Sequence, residues 1–309
     1  MVGFLLATAA LMLAVGVGNV LLPVLVKTSA PDRIGAVTAA YTAALAVSTG
    51  IPAGLAPILL NQGGWRFAVG IWAVISILSA VPWLWMLLRS PYPFVLTPRT
   101  QRDGVPLLCG RKLHRSRTAL AVLGAFMVAS VTAYTMFGLF PLIAVDVWQL
   151  EPKLAGLGLS LFALMGIPLA FTVPRWAPRP LIVKLLVMLA GGALFGGFAF
   201  MVTGSATLWI PVTVALGVGT LCFPLSLALI AQTTRTPELA SSLSAFVNGW
   251  GYFASGLGPI IVGAMHAWFG SWIPSLIALG LFSLLAFPIA IQLGKGACVD
   301  DEMTSAQAP

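Results

Sequence analysis

Charge is scarce in this chain. Of its 309 residues, 8% are charged and 59% hydrophobic. Soluble domains carry about 25% charged residues, so the composition excludes an ordinary water-soluble globule. Acidic residues number 8 and histidines 2. No carboxylate falls inside a long apolar run, so no buried proton relay is visible. Asp146 and Glu238 read as solvated charges near span ends, and Asp300, Asp301 and Glu302 as a disordered acidic tail. His114 and His266 lack a second ligand, and Cys109, Cys222 and Cys298 form neither a CxxC pair nor a metal spacing. No metal and no cofactor are expected. The chain also lacks GxxxxGK[ST], GxSxG and HExxH, the signatures of phosphate-cradling, acyl-transfer and zinc enzymes. No basic stretch precedes the first apolar run, so a cleavable signal peptide is not expected.

What the chain has instead is length without charge. Nine apolar runs are long enough to cross a hydrocarbon core ~30 Å thick. They lie near 3–26, 36–60, 67–88, 119–144, 155–174, 181–203, 208–232, 242–265 and 273–293, and are denoted spans a to i. Backbone in lipid must satisfy its own hydrogen bonds, so runs of this length are read as helices. The fold class is therefore an all-α membrane protein with nine transmembrane helices.

The connections are lopsided. Fourteen of the 16 Lys and Arg residues follow spans a, c, e, g and i, and half of those lie at 89–117. The other side holds Arg66 and Lys153. Positive loops stay in the cytoplasm. The expected topology places the chain in the cell membrane with its C-terminus cytoplasmic and its N-terminus outside. The net charge of +8 then belongs to lipid headgroups rather than nucleic acid, since 89–117 has almost no aromatics among its arginines.

The chain also repeats itself. Gly16-Val17-Gly18, with Pro23 five residues on, recurs as Gly217-Val218-Gly219 with Pro224. Gly54-Leu55-Ala56-Pro57-Ile58 recurs as Gly256-Leu257-Gly258-Pro259-Ile260. Spans a, b and c thus match g, h and i, as in carriers built from two similar halves. Spans d, e and f have no counterpart. The repeat implies a twelve-helix architecture of which the first three helices, about 80 residues, would precede Met1. On this reading residues 1–88 are a partial N-terminal half equivalent to helices 4–6, 89–117 a basic cytoplasmic linker, 118–294 a complete six-helix half and 295–309 a cytoplasmic tail.

Two such halves joined by a basic loop resemble the major facilitator superfamily. Gly18-Asn19-Val20-Leu21-Leu22-Pro23 resembles the fourth helix of its cyanate and 2-nitroimidazole permease family, and Gly64-Trp65-Arg66 the turn into the sixth. Tyr134, Phe140-Pro141-Leu142-Ile143 and Asp146 resemble the seventh, and Leu161-Phe162 with Gly166-Ile167-Pro168 the eighth. The resemblance implies a helical bundle that moves a small polar or anionic solute, such as cyanate or a nitroaromatic, by alternating access.

Polar residues at helical spacing mark the candidate path. Span h carries Ser241, Ser244, Asn248, Tyr252 and Ser255 on one face, and span b carries Thr38, Tyr41, Thr42 and Thr49. The repeat aligns Thr42 with Ser244 and Asn19 with Thr220. Span d adds Ser130, Thr132, Tyr134 and Thr135. Asn19, Tyr41, Thr42, Tyr134, Asn248, Trp250 and Tyr252 are the candidate solute contacts, although membrane serines and threonines also bond to their own backbone or join helices. Gly50, Pro52, Gly54 and Pro57 in span b, with Gly256, Gly258 and Pro259 in span h, are candidate gating or close-packing positions. Trp83, Trp85, Trp209 and Trp272 read as interface anchors.

The expected partners are a small-molecule solute and membrane lipids, with the protein a monomer. Two rival readings are a non-transporting remnant or mis-started form of such a carrier, and a polytopic membrane enzyme. The enzyme requires converging His, Asp or Cys residues at one membrane face, and no such cluster is visible.

Overall fold

The structure, a computed structural model, describes residues 34–89 and 113–305 together with six positions among the first fourteen. Span a falls almost wholly outside the described residues. The others are helical, as their uncharged runs require. Helix α1 covers Ile34–Arg89 and contains spans b and c. Span d is α2, Arg117–Trp148. Span e is α3, Pro152–Leu164, then α4, Gly166–Thr172, and a 3-10 turn, Val173–Trp176. Span f is α5, Pro180–Val202. Span g is a 3-10 turn, Ala206–Leu208, then α6, Trp209–Gly219, and α7, Cys222–Gln232. Span h is α8, Pro237–Phe269, and span i is α9, Ile273–Ser283, with α10, Ala286–Leu293. Among the described residues, 6 helical stretches are long and apolar enough to cross a membrane. Helix α8 is not one of them: its 33 residues suffice, but its serines, glycines, Asn248 and Tyr252 make it less apolar.

The expected loop between spans b and c does not form. Helix α1 runs on through it, interrupted at Gly64 alone, whose φ of 71° and ψ of −179° are not helical. Only glycine enters that region at little cost. A single residue therefore does what several loop residues were expected to do.

Prolines explain where the other spans break. A proline cannot donate to the carbonyl four residues earlier, and its ring crowds that carbonyl. Leu164, Thr220 and Leu284 lie four residues before Pro168, Pro224 and Pro288, and each marks an interruption within its span. At the second, the Thr220 hydroxyl donates to the Gly217 carbonyl at 2.7 Å, which satisfies an acceptor at the broken turn. Pro141 and Pro259 sit inside α2 and α8 without ending them.

The core lies within residues 113–299, around Phe126, Phe140, Phe162, Leu194, Phe198 and Leu216. Helices α2 and α8 pack along one another. A side chain at Gly251 would strike the Phe126 ring, and one at Gly258 would meet the Thr135 hydroxyl at 2.7 Å. In a membrane this closeness is itself the stabilising term, because lipid supplies no hydrophobic drive between helices.

The acidic tail is not a disordered segment. Val299–Ser305 forms a short helix, α11. The Glu302 carboxylate accepts from the Ser116 hydroxyl at 2.6 Å, the Thr118 hydroxyl at 2.8 Å and the Thr118 N–H at 3.0 Å. The start of α2 presents N–H groups that the helix cannot satisfy itself, and an anion there is favoured by the helix dipole. Charge pattern alone read as solvated because its partners stand 184 and 186 residues away.

Candidate functional site

Helix α8 presents the expected stripe as one face. Thr236 caps the helix by accepting the Leu239 N–H at 3.3 Å, and Pro237 takes the first helical position. Ser241 is exposed. Asn248 is half-buried and donates its amide to the Ser244 carbonyl at 2.9 Å and hydroxyl at 3.1 Å. Ser255 is buried and donates to the Gly251 carbonyl at 2.7 Å. The Asn248 side-chain oxygen and the Tyr252 ring lie one turn apart on this face.

Helix α2 brings Tyr134 to the same place. Its ring meets Tyr252 edge to face at a centroid distance of 6.1 Å. The pair belongs to a longer run. Phe223 contacts Phe126 at 5.1 Å, Phe126 contacts Tyr252 at 5.3 Å, Tyr134 contacts Phe137 at 6.5 Å and Phe137 contacts Phe162 at 5.5 Å. Such tilted and edge-on pairs exploit the ring quadrupole. Tyr134, Phe137 and Tyr252 remain 43%, 38% and 38% exposed, so the middle of the run is an open aromatic surface. The hydroxyls of Thr132 and Thr135, on either side of Tyr134, are buried without a hydrogen-bond partner. Sequence spacing singled out the tyrosines but not Phe137 or Phe162, which are ordinary apolar residues until the fold aligns them.

The remaining candidates separate. Trp250 points away from the Asn248–Tyr252 face; it is 59% exposed and meets Phe253 edge to face at 6.1 Å. Tyr41 and Thr42 lie on the α1 backbone with side chains outside the described set, and Asn19 lies outside the described residues. Thr49 donates to the Leu45 carbonyl of its own helix at 2.9 Å.

The proposed packing glycines divide too. Ser160 of α3 donates its hydroxyl to the Gly50 carbonyl at 2.7 Å. A side chain at Gly54 would meet that hydroxyl at 2.7 Å, and one at Gly156 would meet the Ala53 carbonyl at 2.8 Å and Pro57 at 2.9 Å. Pro52 is half-buried on the same helix. Gly50, Gly54 and Pro57 thus seat α1 on α3. Gly258 seats α8 on α2, Pro259 faces Gly138 of α2, and Gly256 has open space beyond it. Gly156-x-x-x-Ser160 was legible as a small-residue pair in span e but was not singled out.

At the Asp146 end of the bundle, three further residues meet. The Trp272 indole N–H donates to Asp146 Oδ2 at 2.7 Å, and the His266 ring stacks on Trp272 at 3.7 Å. Asp146 thus stays exposed while holding the indole, and Trp272, 6% exposed, is not a lipid-facing anchor. A cavity of about 100 Å³ lies at the opposite end, lined by Thr118, Pro180, Gln232, Thr233 and Gly296. It touches none of the aromatic residues. Among the described residues no group of three or more His, Cys, Asp or Glu is placed to hold a metal.

Long uncharged helices, packed through glycines around an open aromatic and amide face, define a multi-pass helical membrane protein. The chain belongs to the major facilitator superfamily: the family model described as Major Facilitator Superfamily matches residues 1–255. It is 26% identical over 297 residues to an uncharacterized transporter, YycB, of Bacillus subtilis, covering 94% of this chain and 70% of that one. It is 25% identical over 288 residues to the 2-nitroimidazole transporter of Escherichia coli, covering 91% and 70%. With the cyanate transport protein CynX of Escherichia coli the identity is 27% over 282 residues, covering 87% and 68%. The family and these relatives are transporters, and the resemblance to that superfamily holds.

Proposed function

We propose that the protein carries a small polar or anionic solute across the cell membrane, binding it against the Tyr134–Tyr252 surface beside Asn248 and releasing it by alternating access. The carrying observation is the open aromatic run. Its open rings, Tyr134, Phe137 and Tyr252, lie between the buried rings of Phe126 and Phe162. On this reading the exposed rings face the space between residues 1–88 and 118–294, where a carrier of two halves holds its solute. Tyrosine edges and faces suit a flat ring or a small linear anion, and the Asn248 side-chain oxygen offers an acceptor. The printed names of two relatives, a 2-nitroimidazole transporter and a cyanate transport protein, agree with such chemistry.

The same reading takes nine membrane helices, a partial half at 1–88, a basic linker at 89–117, a six-helix half at 118–294 and a cytoplasmic tail from 295. The asymmetry of Lys and Arg supports that orientation, with lipid headgroups neutralising the basic side. Asn19, Tyr41, Thr42 and Trp250 remain candidate contacts, and Gly50, Pro52, Gly54, Pro57, Gly256, Gly258 and Pro259 candidate positions of movement. The protein acts as a monomer on this reading. Uptake of labelled 2-nitroimidazole and of cyanate into proteoliposomes tests it. Saturable uptake of either, with an apparent KM raised about tenfold by Tyr252→Ala, is expected for loss of one aromatic contact worth roughly 1–1.5 kcal/mol. Uptake of neither solute above empty vesicles would contradict this solute assignment.

A further inference from the structure

We infer that the C-terminal helix is a positioning clasp: it ties the start of α2 to the start of α8 and so sets the spacing of the two helices that carry the aromatic face.

The contacts fall on both. On the α2 side, Glu302 receives the Ser116 hydroxyl, the Thr118 hydroxyl and the Thr118 N–H. Ser116 is also the α2 cap, accepting the Ala119 N–H at 3.0 Å, so one hydroxyl joins the helix start to the tail. On the α8 side, Arg235 directly precedes the α8 cap Thr236. Its backbone N–H donates to Asp300 at 2.9 Å, and its guanidinium pairs with Asp301 at 2.9 Å. The tail backbone joins in, with the Val299 N–H donating to the Thr233 carbonyl at 2.8 Å. Seven residues thus hold two helix starts that are more than a hundred residues apart in the chain.

The two arms differ in kind. The Arg235–Asp301 pair is exposed on both sides, and exposed pairs contribute little. The Glu302 arm is partly buried and built from charge-assisted bonds, which are roughly twice as strong as neutral ones. The anchor is therefore at α2, and the geometry of Asp300, Val299 and Arg235 transmits it to α8.

That α2 and α8 bear the site rests on the proposed solute face; the mechanical tie between them does not. Its test needs no solute. Hydrogen exchange is followed on the full chain in nanodiscs of phosphatidylcholine and phosphatidylglycerol, in peptides covering 113–121 and 233–241. Glu302→Gln keeps the shape and removes the charge. Exchange is expected to rise on the order of tenfold at Ser116–Ala119, where the bonds are lost, and also at Leu239–Ala240, which Glu302 does not touch. Asp300→Asn with Asp301→Asn should raise exchange at both segments as well, since coupling between two sites is reciprocal. Glu302→Asp should restore part of the protection. A rise confined to the segment each variant touches would overturn the clasp and leave two independent surface contacts. A rise across α5 and α9 as well would also overturn it, by showing general destabilisation.

Discussion

Asp146 and Trp272 are 126 residues apart in the chain, and the Trp272 indole N–H donates to the Asp146 carboxylate at 2.7 Å. The bond holds the last turn of α2 to the segment between α8 and α9, and His266 of α8 lies flat on the same indole. Trp272→Phe keeps the ring and its stack but removes the donor. Asp146 is exposed and water can replace the lost donor, so the bond contributes less than the ~1.5–3 kcal/mol of a buried bond to a charged group. A fall in thermal midpoint is expected in detergent for Trp272→Phe, and a smaller one for Asp146→Asn, which retains an acceptor oxygen. Equal midpoints for Trp272→Phe and the parent protein would remove this bond from the account of stability.

The α1–α3 contact yields a contrast between glycines. Gly156→Leu forces a side chain onto the backbone carbonyl of Ala53, which has no flexible end to move away. Overpacking of this sort costs ~1–3 kcal/mol or more. Transport is expected to fall at least tenfold while the α2–α8 core stays folded. Gly263→Ala adds a methyl group to open space on α8 and should leave transport within a factor of about two. Initial uptake rates, normalised to protein in the membrane, distinguish the two.

Asn248 tests the polar side of the face. Its amide is engaged with Ser244, which leaves its side-chain oxygen as the free acceptor. Asn248→Ala is expected to raise the apparent KM for the transported solute about fivefold to tenfold and to change maximal rate less, the pattern for a contact made in the bound state. Unchanged kinetics would take Asn248 out of the path and leave its amide a purely helical tie.

The tail has a defined response to acid. Burial pushes the Glu302 carboxyl up, but hydrogen bonds from Ser116, Thr118 and the Arg117 and Thr118 backbone outweigh it and hold the group below its ordinary value of 4.5. A carboxylate with a lowered folded pKa adds stability that is fully present above the unfolded value and is lost as pH falls through the folded one. Tail protection against carboxypeptidase should therefore be constant from about pH 7 to about pH 5 and disappear only below the ordinary carboxylate range.

Residue spacing made much of this molecule legible. Spans b to i follow from uncharged length, and the Asn248–Tyr252 stripe follows from helical periodicity, because both signals are local. Pro168, Pro224 and Pro288 were visible too, and the breaks at Leu164, Thr220 and Leu284 obey the hydrogen-bonding rule each proline imposes. The contacts that give those elements a purpose were not visible. Ser160 reaches Gly50 across 110 residues, and Ser116 reaches Glu302 across 186. Nothing in a serine distinguishes a bond to its own helix from a bond to another. Gly64 shows a further limit: a glycine in a polar-looking stretch was read as one part of a loop, yet it alone separates the two parts of α1.

The account depends on the Tyr134–Tyr252 surface facing a water-filled solute path rather than lipid. Cysteine reactivity toward a membrane-impermeant thiol reagent tests this directly, using single cysteines at Tyr252 and at Leu185, an exposed residue of α5, in a background without Cys109, Cys222 and Cys298. Tyr252→Cys should react at least tenfold faster than Leu185→Cys and be protected by the transported solute, since an ionised thiol forms only where water reaches. Equal and slow reaction at both positions would place the aromatic run against lipid and contradict the account.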